Sequence, residues 1–332
     1  MLKTLSALLF VVLTTAASAA GPESKYQPPR LKDGRPDLQG VWNFASGVPL
    51  QRPAKFADRK VFTKEEFDKQ RAALQNLLRT IAKFMPIQDV GLDWVDTKLY
   101  VEDLRTSLIT YPENGRLPAL VEGVTRAPGV EEILALLENA GNGIPPALGN
   151  FLAAFGGGKK DSHTDFSKGD RCLGSMSVPL VPQFGDDNYV QIVQASDSIA
   201  LVRDEGRRVI SLDGKSSTSN KLRLSTGISR GHWEGDTLVV ETRGFRADTP
   251  GFAGAGNSRD KVVTERFTRT AAGIDVVATV VDPSSFKDRI ELSFPMARVD
   301  ARIFEATCHE GNYSLPNTLS AVRKEELANK SE

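Results

Sequence analysis

The stretch Thr226–Phe245 (Thr-Gly-Ile-Ser-Arg-Gly-His-Trp-Glu-Gly-Asp-Thr-Leu-Val-Val-Glu-Thr-Arg-Gly-Phe) constrains the fold of this chain more than any other. Gly235-Asp236 is a two-residue connection of the kind that closes a tight hairpin. Counting outward from it, Glu234 faces Thr237, Trp233 faces Leu238, His232 faces Val239, Gly231 faces Val240 and Arg230 faces Glu241. Side chains alternate across a strand, so one face carries Trp233, Leu238 and Val240, a core surface. The other carries Arg230, His232, Glu234 and Glu241, with Val239 among them. Turned into a barrel, those groups would form a charged ring that orients a ligand. Turned outward, they would be ordinary cross-strand ion pairs such as Arg230–Glu241, worth little each.

The hairpin sits in a series of short β-rich runs: 189–194, 198–203, 208–212, the hairpin itself, 261–269, 274–281, 289–294 and 302–307. Asp213-Gly214, Ala272-Gly273 and Asp282-Pro283 punctuate them as turns. Within 262–267, Val263, Glu265 and Phe267 share one face. Strands at this spacing, with no helical pattern between them, predict a mainly β fold: an antiparallel barrel or strongly curved sheet over 166–315, calycin-like by architectural analogy. The charges that the strands carry suit a sheet with one wet face.

Ahead of it, residues 20–60 read as a Pro- and Gly-rich arm holding one short strand at 38–44. Residues 61–165 read as a helical and irregular portion. There Thr63-Lys-Glu-Glu66 is a capping box that opens a helix with an apolar stripe at Phe67, Leu74, Leu77, Leu78 and Ile81, ending near Phe84. Leu104–Tyr111 reads as a strand and Val130–Ala140 as a second helix. Gly156–Lys160 reads as a mobile surface segment, since it lacks the spacing of a phosphate loop. Residues 316–332 form a C-terminal helix or tail.

Lys3, the apolar run 5–13 and the small residues Ala17-Ser18-Ala19 have the order of a secretory signal peptide cleaved near Ala19. The apolar run is far shorter than the ~20 residues of a spanning helix, and no later segment is long and apolar enough to be an integral membrane span. A periplasmic or secreted location follows. Lysine plus arginine equals aspartate plus glutamate at 42 each, which argues against a nucleic-acid partner. In an exported chain with two cysteines, Cys172 and Cys308, a disulfide is the default expectation. The three histidines, His163, His232 and His309, lie far apart from each other and from the cysteines, so no metal site is expected. Asp161, His163 and Asp165 match a metal triad by composition alone. No dinucleotide fingerprint or nucleophile elbow occurs, and no cofactor is expected.

Asp33-Gly-Arg-Pro-Asp-Leu-Gln-Gly-Val-Trp42, Arg105-Thr-Ser-Leu-Ile109, Gly115-Arg-Leu-Pro118, Arg171-Cys172, Arg208–Gly214, Ser229–Val240, Glu265-Arg-Phe267, Asp282-Pro283 and Cys308-His-Glu-Gly-Asn312 occur in that order. The series resembles a widespread, largely uncharacterised group of exported bacterial proteins, across nearly the whole mature chain. The resemblance implies export, a bacterial source and a β-rich second half, and it implies no particular chemistry. In that group the residue before the tryptophan is usually Arg, so His232 is a departure, and residues 139–160 are longer and richer in glycine here.

His309 and Glu310 are the candidate catalytic pair, since a histidine beside a carboxylate can move protons near neutral pH. Adjacent residues on a strand point to opposite faces, so both can serve one pocket only if the strand ends there. Arg171, Arg230, Trp233, Glu234, Glu241 and Glu265 are the candidate ligand-binding residues. The first functional reading is an exported protein that binds a small, largely apolar molecule in a β-barrel cavity. The second is a cofactor-independent acid–base enzyme (isomerase, lyase or hydrolase) using the same cavity, and the third an envelope structural or interaction protein. Nothing in the sequence sets an oligomeric state.

Overall fold

The computed structural model describes residues 26–82, 103–126, 161–166, 171–173, 177–182, 188–204, 206–212, 214, 221–257, 259–305 and 308–329. The predicted signal peptide, the second helix at 130–140 and the glycine-rich segment at 156–160 lie outside them. The chain is mainly β. Ten strands are described: β1 (Gly40–Asn43), β2 (Ile109–Tyr111), β3 (Tyr189–Gln194), β4 (Ser198–Arg203), β5 (Gly206–Ser211), β6 (Ile228–Glu234), β7 (Thr237–Arg243), β8 (Val262–Arg269), β9 (Ile274–Val281) and β10 (Ile290–Val299). The described helices are α1 (Lys64–Ala82) and α2 (Ser314–Asn329), with single 3-10 turns elsewhere.

Nine strands close into a barrel in the order β1-β3-β4-β5-β6-β7-β8-β9-β10, and β1 pairs back onto β10. Closure is the work of the N-terminal arm. Val41 pairs with Gln191 of β3 on one side and with Val299 of β10 on the other, so the four residues of β1 satisfy both edges of an otherwise open sheet. The tenth strand, β2, adds to β10 below that point, through Ile109↔Leu292 and Tyr111↔Glu291.

Alternate residues point into the barrel. Val190 and Ile192, Ile199 and Leu201, Leu238 and Val240, Val263 and Phe267, Ile274 to Val280 in steps of two, and Ile290 to Met296 in steps of two are all buried. Trp42, Phe44, Phe245, Phe267 and Phe294 are the bulkiest of the fully buried or nearly so, with Phe44 and Phe294 rings 6.1 Å apart. The Trp42 indole N–H donates to Leu38 O at 2.8 Å, and the Arg269 guanidinium stacks 4.9 Å from the Trp42 ring. Burial of this set supplies the main driving force for the fold, on the order of 2 kcal/mol per large side chain.

The hairpin has the register counted from its turn, from Glu234↔Thr237 through Arg230↔Glu241 to Ile228↔Arg243. Gly235 takes φ +58°, a conformation that glycine adopts without steric cost, and Asp236 is held from the arm by Arg30 at 2.7 Å. The capping box is formed as well: Glu66 N donates to Thr63 Oγ1 at 3.2 Å, and Thr63 N donates to a Glu66 carboxylate oxygen at 2.8 Å.

Three expectations need correction. The meander is not antiparallel throughout, because β5 and β6 pair in parallel through Ile210↔Ser229 and Ser211↔Arg230. Being parallel, β6 starts at the same end of the barrel as β5. Next, β10 does not stop at Phe294 but runs on through Pro295 to Val299. Proline has no N–H, and here it falls between the partners of β2 (291–292) and of β1 (297–299), where no ladder bond to those strands is called for. Last, the strand expected at 302–307 is irregular over its described part, 302–305. Its β-pattern is spent one element earlier, in the extended β10.

Cys172 and Cys308 form a disulfide with Cα atoms 5.6 Å apart, tying the segment at 171–173 to the turn that leads into α2. Alkylation of the denatured, unreduced protein is expected to label neither cysteine, and labelling of either would contradict the bond. Among the described residues no helix is long and apolar enough to cross a membrane.

Candidate functional site

The inward face is not apolar throughout. Towards the mouth where β6 and β8 begin and β7 ends, the alternation that buries Leu238 and Val240 goes on to Thr242 and, across the hairpin, to Ser229. On β8 it places Glu265 between Val263 and Phe267, and residue 261 one step further out; on β5 it places Arg208 beside Ile210. Arg208, Ser229, Thr242, Lys261, Glu265 and Asp282 are all buried, the most exposed at 5 %. Together they make a polar layer that caps the apolar core.

An ion pair organises this layer. Arg208 Nη2 donates to Glu265 Oε2 at 2.5 Å and to Thr242 Oγ1 at 2.7 Å, while Nε donates to Ser229 Oγ at 2.7 Å. The two hydroxyls are themselves 2.9 Å apart. The second carboxylate oxygen of Glu265 accepts from the backbone N–H of Leu180 at 3.1 Å. Lys261 Nζ donates to Val178 O at 2.9 Å and lies 4.4 Å from the centre of the Phe245 ring. The segment at 177–182 is thus fastened over the mouth by two interior charges. Burial pushes the Lys261 amine down to about 8, opposed by the carboxylates of Asp282 and Glu265 and reinforced by Arg208.

Two atoms of the layer have no hydrogen-bond partner, Nη1 of Arg208 and Oδ2 of Asp282. Asp282 uses its other groups locally: Oδ1 accepts from Ser284 Oγ at 2.7 Å, and its carbonyl accepts from Ser285 N and Phe286 N. The expected turn at Asp282-Pro283 is therefore present, with the carboxylate tucked inward. Buried polar groups without partners are rare and mark functional positions often enough to single this layer out.

Above the layer, the flanks of the hairpin build a cleft. Leu224 N donates to Gly244 O and Arg246 N donates to Leu224 O, so the strap that precedes β6 lies alongside the chain that leaves β7. Gly227, at φ +67°, leaves room for that crossing, since a Cβ there would sit 2.7 Å from Thr242 Cγ2 and 2.9 Å from Phe245 Cε1. The result is a cleft of about 410 Å³ lined by Lys221, Arg223, Phe245, Ala247 and Arg259. Phe245 belongs to both levels: it lines the cleft and packs on Lys261 beneath.

Of the candidate catalytic and ligand-binding residues named from the sequence, Glu265 alone enters this layer. The polar face of the hairpin points outward. His232, Glu234 and Glu241 are exposed, Glu234 pairs with Arg266 at 2.7 Å and with His232 at 3.1 Å, and Glu241 pairs with Arg243 at 2.7 Å. Arg266, then His232, hold the Glu234 carboxyl below its usual range. Arg230 stands half-buried opposite Glu241 in the ladder. Val239, on that outer face, is nevertheless buried. Trp233 is half-buried against the core, with its indole N–H unpartnered. Arg171 is half-buried beside the disulfide, with Nε unpartnered. His309 and Glu310 occupy an exposed turn after Cys308, where His309 O accepts from Asn312 N at 3.4 Å. Asp161, His163 and Asp165 belong to a 3-10 turn in which the Asp165 carboxylate accepts from the N–H groups of Asp161 and Ser162. Among the described residues no group of three histidine, cysteine, aspartate or glutamate side chains could hold a metal.

Arg208 and Lys261 were missed as site residues, though extending the alternation by two positions from Ile210 and Val263 reaches both. No family model, curated protein or solved structure matches the chain.

Proposed function

We propose that this is an exported protein that binds a small, largely apolar molecule at the mouth of its barrel. The observation that carries the reading is the cleft over Phe245 and Ala247, whose volume of about 410 Å³ falls in the range of small-molecule sites. The closed barrel below is a rigid frame for it, and the described interior is packed with aromatic and aliphatic side chains, so the ligand rests on the layer at the mouth. The disulfide and the leader-like first residues support export. The series of motifs from Gly34-Arg-Pro to Cys308-His-Glu supports membership in the bacterial group it resembles. The acid–base reading has less support: His309 and Glu310 are exposed on a turn, and Glu265 is committed to Arg208 and the Leu180 N–H.

Mass spectrometry of the protein purified from its native periplasm tests the binding reading. A low-mass organic compound is expected to be released on denaturation, and to be absent from an Ala247→Trp variant whose ring fills the cleft. A bare chain in both cases would overturn it.

A further inference from the structure

The barrel is not closed to the same degree all round. Among the described residues, β5 and β6 pair through Ile210↔Ser229 and Ser211↔Arg230 alone. The ladders on either side are longer: β4–β5 runs from Ser198↔Ser211 to Arg203↔Gly206, and β6–β7 from Ile228↔Arg243 to Glu234↔Thr237. Beyond Ser211 the ladder of β5 continues on the β4 side, where Leu212 N donates to Asp197 O at 2.7 Å. The strand β1 is also short, but it is held by other means. Trp42 and Asn43 are buried, the Trp42 indole N–H donates to Leu38 O, and Phe44 N donates to Asn188 O at 2.8 Å. Backbone pairing therefore contributes least to closure between β5 and β6.

Side chains take over where the ladder stops. Arg208, on β5, reaches across the seam to one residue on each of the next three strands: Ser229 on β6, Thr242 on β7 and Glu265 on β8. Hydrogen bonds from a charged donor are among the strong ones. The apolar contact beside them is made against a glycine. A Cβ on Gly231 would lie 2.8 Å from Ile210 Cγ2 and 2.9 Å from Leu212 Cδ2, so these two side chains occupy the space that a β6 side chain would need. We infer that the barrel opens sideways along the β5–β6 seam, and that Arg208 is the brace that holds it shut. Opening there parts Arg208 from Ser229, Thr242 and Glu265, and admits water or a small molecule to the polar layer. The 177–182 segment stays over the mouth, because its bonds run to Lys261 and Glu265 on the far side of the seam.

Native-state hydrogen exchange of the full chain, read peptide by peptide by mass spectrometry, tests this. In the wild type, 206–211 and 228–231 are expected to exchange at least about a hundredfold faster than β8 and β9, through an opening short of global unfolding. Ser229→Ala removes the acceptor of the Arg208 Nε bond and is expected to speed exchange at β5 and β6 by about tenfold. Gly231→Ala, which wedges a methyl group against Ile210 and Leu212, should speed it by a similar factor. Protection of β5 and β6 equal to that of β8 and β9 in the wild type, a measurement that needs no variant, would overturn the opening. Fast exchange at β1 with β5 and β6 protected would overturn it as well, by moving the opening to the other short closure. Acceleration in Ser229→Ala that reaches β8 and β9 but leaves β5 and β6 unchanged would mean that the Arg208 bond survives the opening, and would overturn the brace.

Discussion

Glu265→Leu is expected to cost about 3–5 kcal/mol of unfolding free energy, measured by urea denaturation at constant slope. The carboxylate is fully buried and is, among the described residues, the only ion partner of Arg208, itself 2 % exposed. Its removal strands a guanidinium in the barrel and deprives the Leu180 N–H of its acceptor at the same time. Nη1 of Arg208 already has no partner, and the one unpartnered acceptor of the layer, Asp282 Oδ2, makes no hydrogen bond to it. Arg208→Met should be destabilising by a similar mechanism, since it leaves the buried Glu265 side chain with one backbone donor. The double replacement Arg208→Met/Glu265→Leu is expected to recover most of the loss, because two packed apolar side chains avoid the desolvation that the ion pair only partly offsets. Ser229 and Thr242 can then satisfy each other across their 2.9 Å separation. The coupling between the two sites, read from the double-mutant cycle, should exceed about 2 kcal/mol. A loss below about 1 kcal/mol in the single variant would mean that water reaches the pair.

That layer also shows where reading the sequence stops. The register of β6 and β7 is legible because a two-residue turn admits one pairing, and the burial of Leu238 and Val240 follows from it. The interior position of Glu265 is legible from Val263 and Phe267. What draws the eye on the hairpin is the set of ionisable groups, Arg230, His232, Glu234 and Glu241, and these face solvent. The groups that matter inside are Ser229 and Thr242, the continuation of the face taken as core. Arg208 and Lys261 are harder, since a charged residue near a strand end is most often wet. Only the fold shows that Arg208 meets a carboxylate 57 positions away on β8. Closure by β1 is illegible for a related reason: four residues in a proline-rich arm carry too little pattern to reveal that they bind two strands, 189–194 and 290–299, that lie far apart in the chain. The cleft depends on one such long-range crossing, in which Leu224 pairs with Phe245.

Between neutral pH and about pH 10.5, the wild type should gain about 3 kcal/mol of stability relative to Lys261→Met, an effect readable from denaturant unfolding at each pH. In the unfolded chain the lysine keeps its ordinary value of 10.5, whereas in the barrel it falls to about 8. Below the folded value both states carry the proton and the difference in stability does not change with pH. Between the two values the unfolded state holds the proton and the folded state has lost it, so stability rises with pH across that window. Above the unfolded value the difference is again constant. The sign follows from burial, which disfavours the ammonium, while Asp282, Glu265 and the Phe245 ring favour it and limit the fall. Comparison with the methionine variant isolates this one group from tyrosines and exposed lysines, which titrate in both proteins alike. A difference that stays flat from pH 7 to 10.5 would mean that the amine is solvated and that the polar layer is open to water. At neutral pH the barrel therefore holds a charged amine at a net cost. It does so against the Phe245 ring, whose centre lies 4.4 Å from the Lys261 amine.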